Sequence, residues 1–169
     1  NHFDGAGARD GEAGLIQLAV ELREKVRRET GLTCSVGCAC NKMLAKICSD
    51  RNKPNGQFVL PPRRDAIKEF MNELPIRKIP GIGKMTEKIL KGFGIDMASD
   101  LVRQPCVGKL MALFSKTAFD FFVRAGLGLG STEAAPKEDE HGHGRKGISC
   151  ERSFKRLEGS KQLEQKLNE

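Results

Sequence analysis

Residues 74–95, LPIRKIPGIGKMTEKILKGFGI, constrain this chain more than any other stretch. Pro80-Gly81-Ile82-Gly83 reads as a tight turn, since glycine reverses direction at little steric cost, and a helix follows from about Lys84. Lys84, Lys88 and Lys91 stand at i, i+4 and i+7 and so share one side of that helix. Met85, Ile89 and Phe93 lie opposite, with Leu90 at the edge, and Gly92 and Gly94 end the helix. The pattern predicts a helix-hairpin-helix whose Met85–Ile89–Phe93 side packs on a core. The lysines and the amides of the first helical turn are left for an anion. Those N–H groups have no intrahelical acceptor, and glycine puts no side chain between them and a ligand. A DNA phosphate suits such a site, and contacts of this kind read no sequence. The candidate DNA-contacting residues are Gly81, Ile82, Gly83, Lys84, Thr86 and Lys88. An ordinary amphipathic helix with a solvated lysine face shares part of the pattern. The Pro-x-Gly turn joined to aligned lysines is what points to DNA.

The formal net charge is +7, and its placement says more than its size. Residues 1–30 hold five basic and six acidic side chains, 31–131 sixteen and eight, and 132–169 eight of each. The excess lies in the middle, around the hairpin, as an electrostatic footprint for a polyanion requires. Solubility alone needs charge but not its concentration in one segment.

Cysteines stand at 34, 38, 40, 48, 106 and 150 without a CxxC pair, and His141 and His143 are remote from the main cluster, so no metal site is predicted. Cys34, Cys38 and Cys40 fall at even spacing and are expected to be small buried residues of a strand. Free thiols in this number point to a reducing intracellular compartment. No apolar run approaches the ~18 residues of a membrane span, and a membrane partner is not expected. There is neither a signal peptide nor an initiator Met, and the chain reads as a fragment.

Along the chain, the Gly-rich residues 1–13 are expected to be disordered. Leu15, Leu18, Ala19, Leu22 and Val26 give helical spacing over 14–29. LTCSVGCAC (32–40) reads as a buried strand. Asn41 caps a helix with Met43, Leu44, Ile47 and Cys48 on one face, which stops before the Lys53-Pro54-Asn55-Gly56 turn. Residues 57–60 form a short strand, and a helix over 63–73 turns Ala66, Ile67, Phe70 and Met71 inward. Residues 99–125 read as helical, with Leu110, Phe114, Thr117, Phe121 and Ala125 as a core stripe and Gly126 as C-cap. Residues 127–147 read as a linker. A strand at 148–154 and a polar helix over 158–169 follow. The His-Gly-His at 141–143 is too weak a ligand set for a metal.

SVGCACNKMLAKICSDRNKPNG (35–56) followed by the hairpin, with GLGLGST (126–132) and RKGISCERSF (145–154), resembles the Y-family translesion DNA polymerases, in their kappa (DinB-like) branch. The resemblance covers roughly residues 15–155. It implies an α+β chain: residues 14–60 as the late palm (strand–helix–strand), 61–126 as an all-helical thumb with the helix-hairpin-helix, and 148–169 as the beginning of a little-finger β-sheet. It implies primer-template DNA and a deoxynucleoside triphosphate as partners, Mg²⁺ as cofactor, a monomer and a nuclear location. It also gives Lys53 a role, because the family's KPNG lysine contacts the incoming triphosphate. From the residues alone, Lys53 is a point charge in a turn at a strand end, which suits a phosphate and equally suits a plain surface lysine.

The family's catalytic carboxylates, an early Asp and an Asp-Glu pair on a palm strand, have no counterpart here. Asp139-Glu140 lies in the linker. Two metal ions cannot be held for in-line phosphoryl transfer without such ligands, so the stretch is expected to be inactive alone, with no catalytic or metal-binding residue of its own. The alternative is a stand-alone, non-catalytic helix-hairpin-helix module. A glycosylase or nuclease would need a catalytic residue after the hairpin, where only Asp96 and Asp100 stand, without a partner base.

Overall fold

A computed structural model describes residues 5–133, with side chains from residue 11 on, together with Lys161 and Glu164. The chain divides into two units, 1–134 and 135–169. Of the second only Lys161 and Glu164 are described, both helical and exposed. The strand expected at 148–154, the rest of the 158–169 helix and the linker beyond residue 133 lie outside the described residues.

Helix α1 runs Gly5–Thr30. It starts well before the expected residue 14, over a segment read as disordered; residues 1–4 lie outside the described residues. The reason is cooperativity. Extending a formed helix costs no new nucleus, and Ala6, Ala8, Arg9, Glu12 and Ala13 are good helix formers despite the glycines between them. Gly31, with φ +72°, ends the helix.

Strand β1, Val36–Cys38, pairs in parallel with β2, Gln57–Val59, in the register Val36↔Gln57, Gly37↔Phe58 and Cys38↔Val59. Helix α2, Lys42–Arg51, makes the crossover. Parallel strands need such a connection, and here the Asn41 side chain starts it, accepting from Leu44 N at 2.9 Å. Leu44, Ile47 and Cys48 are buried, as their spacing predicts, and burial pushes the Cys48 thiol up to about 12. The strand expected over 32–40 is only three residues long. Cys34 and Cys38 are half-buried and Cys40 is exposed, so the three do not form a buried row.

Helix α3, Arg64–Asn72, buries Phe70 and Met71. Arg51 of α2 sits over the rings of Phe58 and Phe70, 5.4 Å from each centroid, and reaches Glu73 at 3.7 Å. A short 3₁₀ turn, Ile76–Lys78, then leads to α4, Lys84–Gly92. Residues beyond 95 do not make one long helix. A 3₁₀ segment at Ala98–Val102 is followed by α5, Cys106–Leu113, and α6, Lys116–Gly126. Pro105 lacks the N–H needed to continue a helix. Ser115 starts a new one by capping Ala118 N at 3.3 Å. The expected stripe therefore crosses a break. Leu110 and Ala125 are buried, Thr117 is exposed, and Phe122 rather than Phe121 is the buried ring of α6.

One buried cluster runs from Leu44 and Ile47 through Phe70, Ile76, Ile79, Ile82 and Leu90 to Leu110 and Ala125. It crosses the boundary expected at residues 60/61 without interruption. The tail of α6 joins in. Gly128, not Gly126, takes the left-handed conformation (φ +71°), its carbonyl accepts from Asn41 Nδ2 at 2.8 Å, and Ser131 O accepts from Lys42 N at 3.0 Å. Residues 127–131 are thus docked at the start of α2, and the linker read from composition does not begin at 127.

Candidate nucleic-acid interface

The hairpin is closed at its base and tight at its tip. Ile76 N donates to Asp96 O at 3.0 Å and Ala98 N to Leu74 O at 2.8 Å, so the two ends lie side by side around a Pro75↔Met97 bridge. At the tip, Ile79 N bonds to Ile76 O and Ile82 N to Ile79 O, each at 3.1 Å. Gly81 has φ +99°, and a Cβ there would stand 2.9 Å from the Phe121 ring. No other residue fits both the dihedral and the contact.

The side of α4 that packs is not the predicted one. Leu90 is fully buried and Phe93 half-buried, whereas Met85 is 72% and Ile89 45% exposed. Burial of both Ile79 and Ile82 in the turn sets how α4 leaves it, and the inward line becomes Thr86–Leu90–Phe93. The lysine side holds. Lys84, Lys88 and Lys91 are all exposed, and Lys84 and Lys88 have no ion-pair partner among the described residues. Lys91 is engaged by Glu87 at 3.1 Å, and Arg77 Nε approaches the same carboxylate at 3.5 Å. Glu87 would otherwise repel an anion at this helix end, and these two cations offset it.

Gly83 is the N-cap of α4 and offers no side chain to the first-turn amides. A Cβ built on it meets nothing within 4 Å, and no side chain caps the first-turn amides. The helix end therefore keeps its positive dipole end unfilled and flanked by Lys84 and Lys88. Ile82 differs from its neighbours: its side chain is buried, its N–H is used within the turn, and its carbonyl accepts from Arg77 Nη1 at 2.6 Å. It holds the turn rather than facing outward. Thr86 is half-buried on the inward line.

Asp100 is explained by the fold. It is buried, its Oδ2 accepts from Asp96 N and Met97 N at 3.0 and 2.9 Å, and its Oδ1 pairs with Arg103 at 2.7 Å. A carboxylate used in this way caps the base of the hairpin and is not a general base.

Lys53 lies elsewhere, in the turn between α2 and β2. Its ammonium pairs with Asp50 at 2.5 Å, which holds the Asp50 carboxyl below the usual carboxylate range. Lys53 is exposed, and Asn55 two residues on has φ +51°.

A model of the impB/mucB/samB family matches residues 3–50, and one of the HHH motif of that family matches 64–95. DNA polymerase kappa of Arabidopsis thaliana is 48% identical over 161 residues, covering 94% of this chain and 23% of that protein. DNA polymerase kappa of Homo sapiens is 45% identical over 141 residues, covering 83% and 15%. The solved insertion ternary complex of Dbh DNA polymerase superposes with a TM-score of 0.61 at 30% identity, over 74% of this chain and 35% of that one. DinB from Sulfolobus solfataricus gives 0.62 at 29%, over 73% and 35%. The chain belongs to the Y family of DNA polymerases. It is a partial region of such a polymerase, of the kappa or DinB type.

Within this Y-family segment, the HHH match spans α3, the hairpin and α4. Lys53 lies between the two matched stretches. Two residues that hold these sites were not apparent in the sequence. Arg77 bonds the hairpin carbonyl, and Arg23 bonds the Lys53 turn. Arg77 acts on a backbone acceptor and Arg23 on two backbone and two side-chain oxygens of segments remote in sequence, and no local pattern marks such pairings.

Proposed function

We propose that this chain grips primer-template DNA through phosphates within a translesion polymerase that copies past damaged bases. The observation that carries the proposal is the uncapped start of α4, with Gly83 facing open space between exposed Lys84 and Lys88. Gly81, Gly83, Lys84 and Lys88 present the contact, Thr86 borders it, and Ile82 braces it from within. Lys53 would neutralise triphosphate charge of the incoming nucleotide, and Asp50 holds it until then. The protein would act as a monomer on nuclear DNA. In this reading residues 14–60 serve as late palm, 61–126 as thumb, and 148–169 as the start of the little finger.

Mg²⁺ would serve nucleotidyl transfer in the complete enzyme, but the residues present do not fit it. Among the described residues no group of three His, Cys, Asp or Glu side chains could hold a metal ion. No chemical step is assigned to this chain. The same residues include no helix long and apolar enough to cross a membrane.

The test is binding of the 169-residue chain to labelled duplexes of unrelated sequence, beside a primer-extension assay. Affinities within about threefold of one another, and no extension product, are expected, because phosphate contacts read no sequence. A strong preference for one sequence would move recognition to base edges. Template-dependent extension by repurified protein would overturn the absence of catalytic residues.

A further inference from the structure

Arg23 is a half-buried residue on α1, far from both sites in sequence. Its guanidinium donates to three separate segments. Nε reaches Cys34 O at 3.2 Å, just before β1. Nη1 bonds Gln57 Oε1, at the start of β2. Nη2 bonds both the Asn55 carbonyl and Asn55 Oδ1, the latter at 2.6 Å. Only arginine offers donors on three nitrogens in one rigid plane, and it stays charged at every working pH.

Other bonds hold the residues on either side of Asn55. Gly56 O accepts from Val36 N at 3.0 Å, Gly56 N donates to Ser35 Oγ at 3.3 Å, and Asn52 Nδ2 donates to Gln57 O at 2.7 Å. Asn55, by contrast, hydrogen-bonds only to Arg23 among the described residues. It is also the residue in the left-handed region, at φ +51°, a conformation that few side chains adopt without help. Holding Asn55 fixes the direction in which the chain runs through Lys53 and Pro54.

We infer that Arg23 is the positioning residue of the Lys53 turn. It clamps Asn55 so that the Lys53 ammonium is presented in one place. Its bonds to Cys34 and Gln57 refer that place to the ends of both strands. The functional half of this inference rests on the triphosphate role proposed for Lys53. The clamp itself does not, and the two are separable by experiment.

The experiment uses the ¹⁵N-labelled 169-residue chain with Arg23→Lys and Arg23→Ala. Lysine keeps the charge but loses the fork, and it serves if the alanine variant folds poorly. Amide exchange at Gly56 and Val36, whose N–H groups are bonded at this turn, should accelerate about tenfold or more in either variant, as local opening becomes easier, while exchange at Leu90 in α4 stays unchanged. Unchanged exchange at Gly56 and Val36 in Arg23→Lys would overturn the clamp. Titration with dATP, followed at Lys53–Gly56, reads the functional half. Arg23→Lys should weaken the response about fivefold, and Arg23→Lys with Lys53→Ala should be no weaker than Lys53→Ala alone, the signature of two residues acting as one unit. Additive losses would show that Arg23 does not act through Lys53. A dATP response unaffected by Lys53→Ala would remove the triphosphate role of Lys53, leaving the exchange data to decide the clamp.

Discussion

The Lys53 turn and the Pro80–Gly83 turn both present positive charge, but they are built in opposite ways. The hairpin tip is held by its own backbone bonds and by burial of Ile79 and Ile82 against the core. Its lysines project from a helix and carry no burden in the fold. The Lys53 turn is held by polar side chains, Arg23 and Ser35 from distant segments and Asn52 from the turn's own start, and its lysine is already paired with Asp50. An apolar, self-contained turn suits a surface that meets many phosphates in any register. A turn fixed by long-range hydrogen bonds suits one charge that must stand in one place.

Substitutions should separate the two. Gly81→Val combines a forbidden dihedral with a collision at Phe121 and should destabilise the chain by about 3 kcal/mol in chemical denaturation. A loss below about 1 kcal/mol would mean that the tip can rearrange. Asn52→Ala removes one bond from the other turn and should cost about 1 kcal/mol, with duplex affinity unchanged. Any loss of DNA binding there would blur the division between the turns. Gly83→Ala meets open space and should change stability by less than about 0.5 kcal/mol. It should still weaken duplex binding severalfold, because a methyl group now stands before the amides. Equal binding would remove Gly83 from the contact. Lys53→Ala should be the smallest effect, leaving melting temperature and duplex affinity nearly as they were, since an exposed ion pair contributes about 0–1 kcal/mol. A large stability loss would make Lys53 a structural residue of its turn.

Much of this was legible in the chain. Asn41 as a cap, the stop before Lys53-Pro54-Asn55-Gly56, β2 and the helix from Lys84 follow from local chemistry that one turn or one helix end decides. The packing face of α4 was not legible, because Met85, Ile89 and Leu90, with Phe93 at the C-cap, form one broad apolar arc of a nine-residue helix, and only the buried turn before it selects Leu90. The length of the helices after residue 98 was misread because a continuous apolar stripe outweighed Pro105 and Ser115 as break signals. The docking of residues 127–131 rests on carbonyls of Gly128 and Ser131, and the Arg77 bond and two of the Arg23 bonds likewise end on backbone oxygens. Every residue carries such an acceptor, so no sequence pattern marks the ones that are used. Of the candidate DNA residues, Gly81, Gly83, Lys84 and Lys88 are exposed, as a glycine turn followed by aligned lysines suggests from local signal alone, whereas Thr86 is half-buried and Ile82 faces inward.

The central claim is that the Lys84/Lys88 face at the uncapped end of α4 binds DNA through phosphates. It is tested most directly by duplex affinity measured across a salt series for the native chain and for Lys84→Glu with Lys88→Glu. Loss of two phosphate contacts should reduce the slope of log affinity against log salt by about 2 and weaken binding by roughly 100-fold at low salt, equally for every sequence. A double variant with the native affinity and the native slope would place the DNA contact on another face of the molecule.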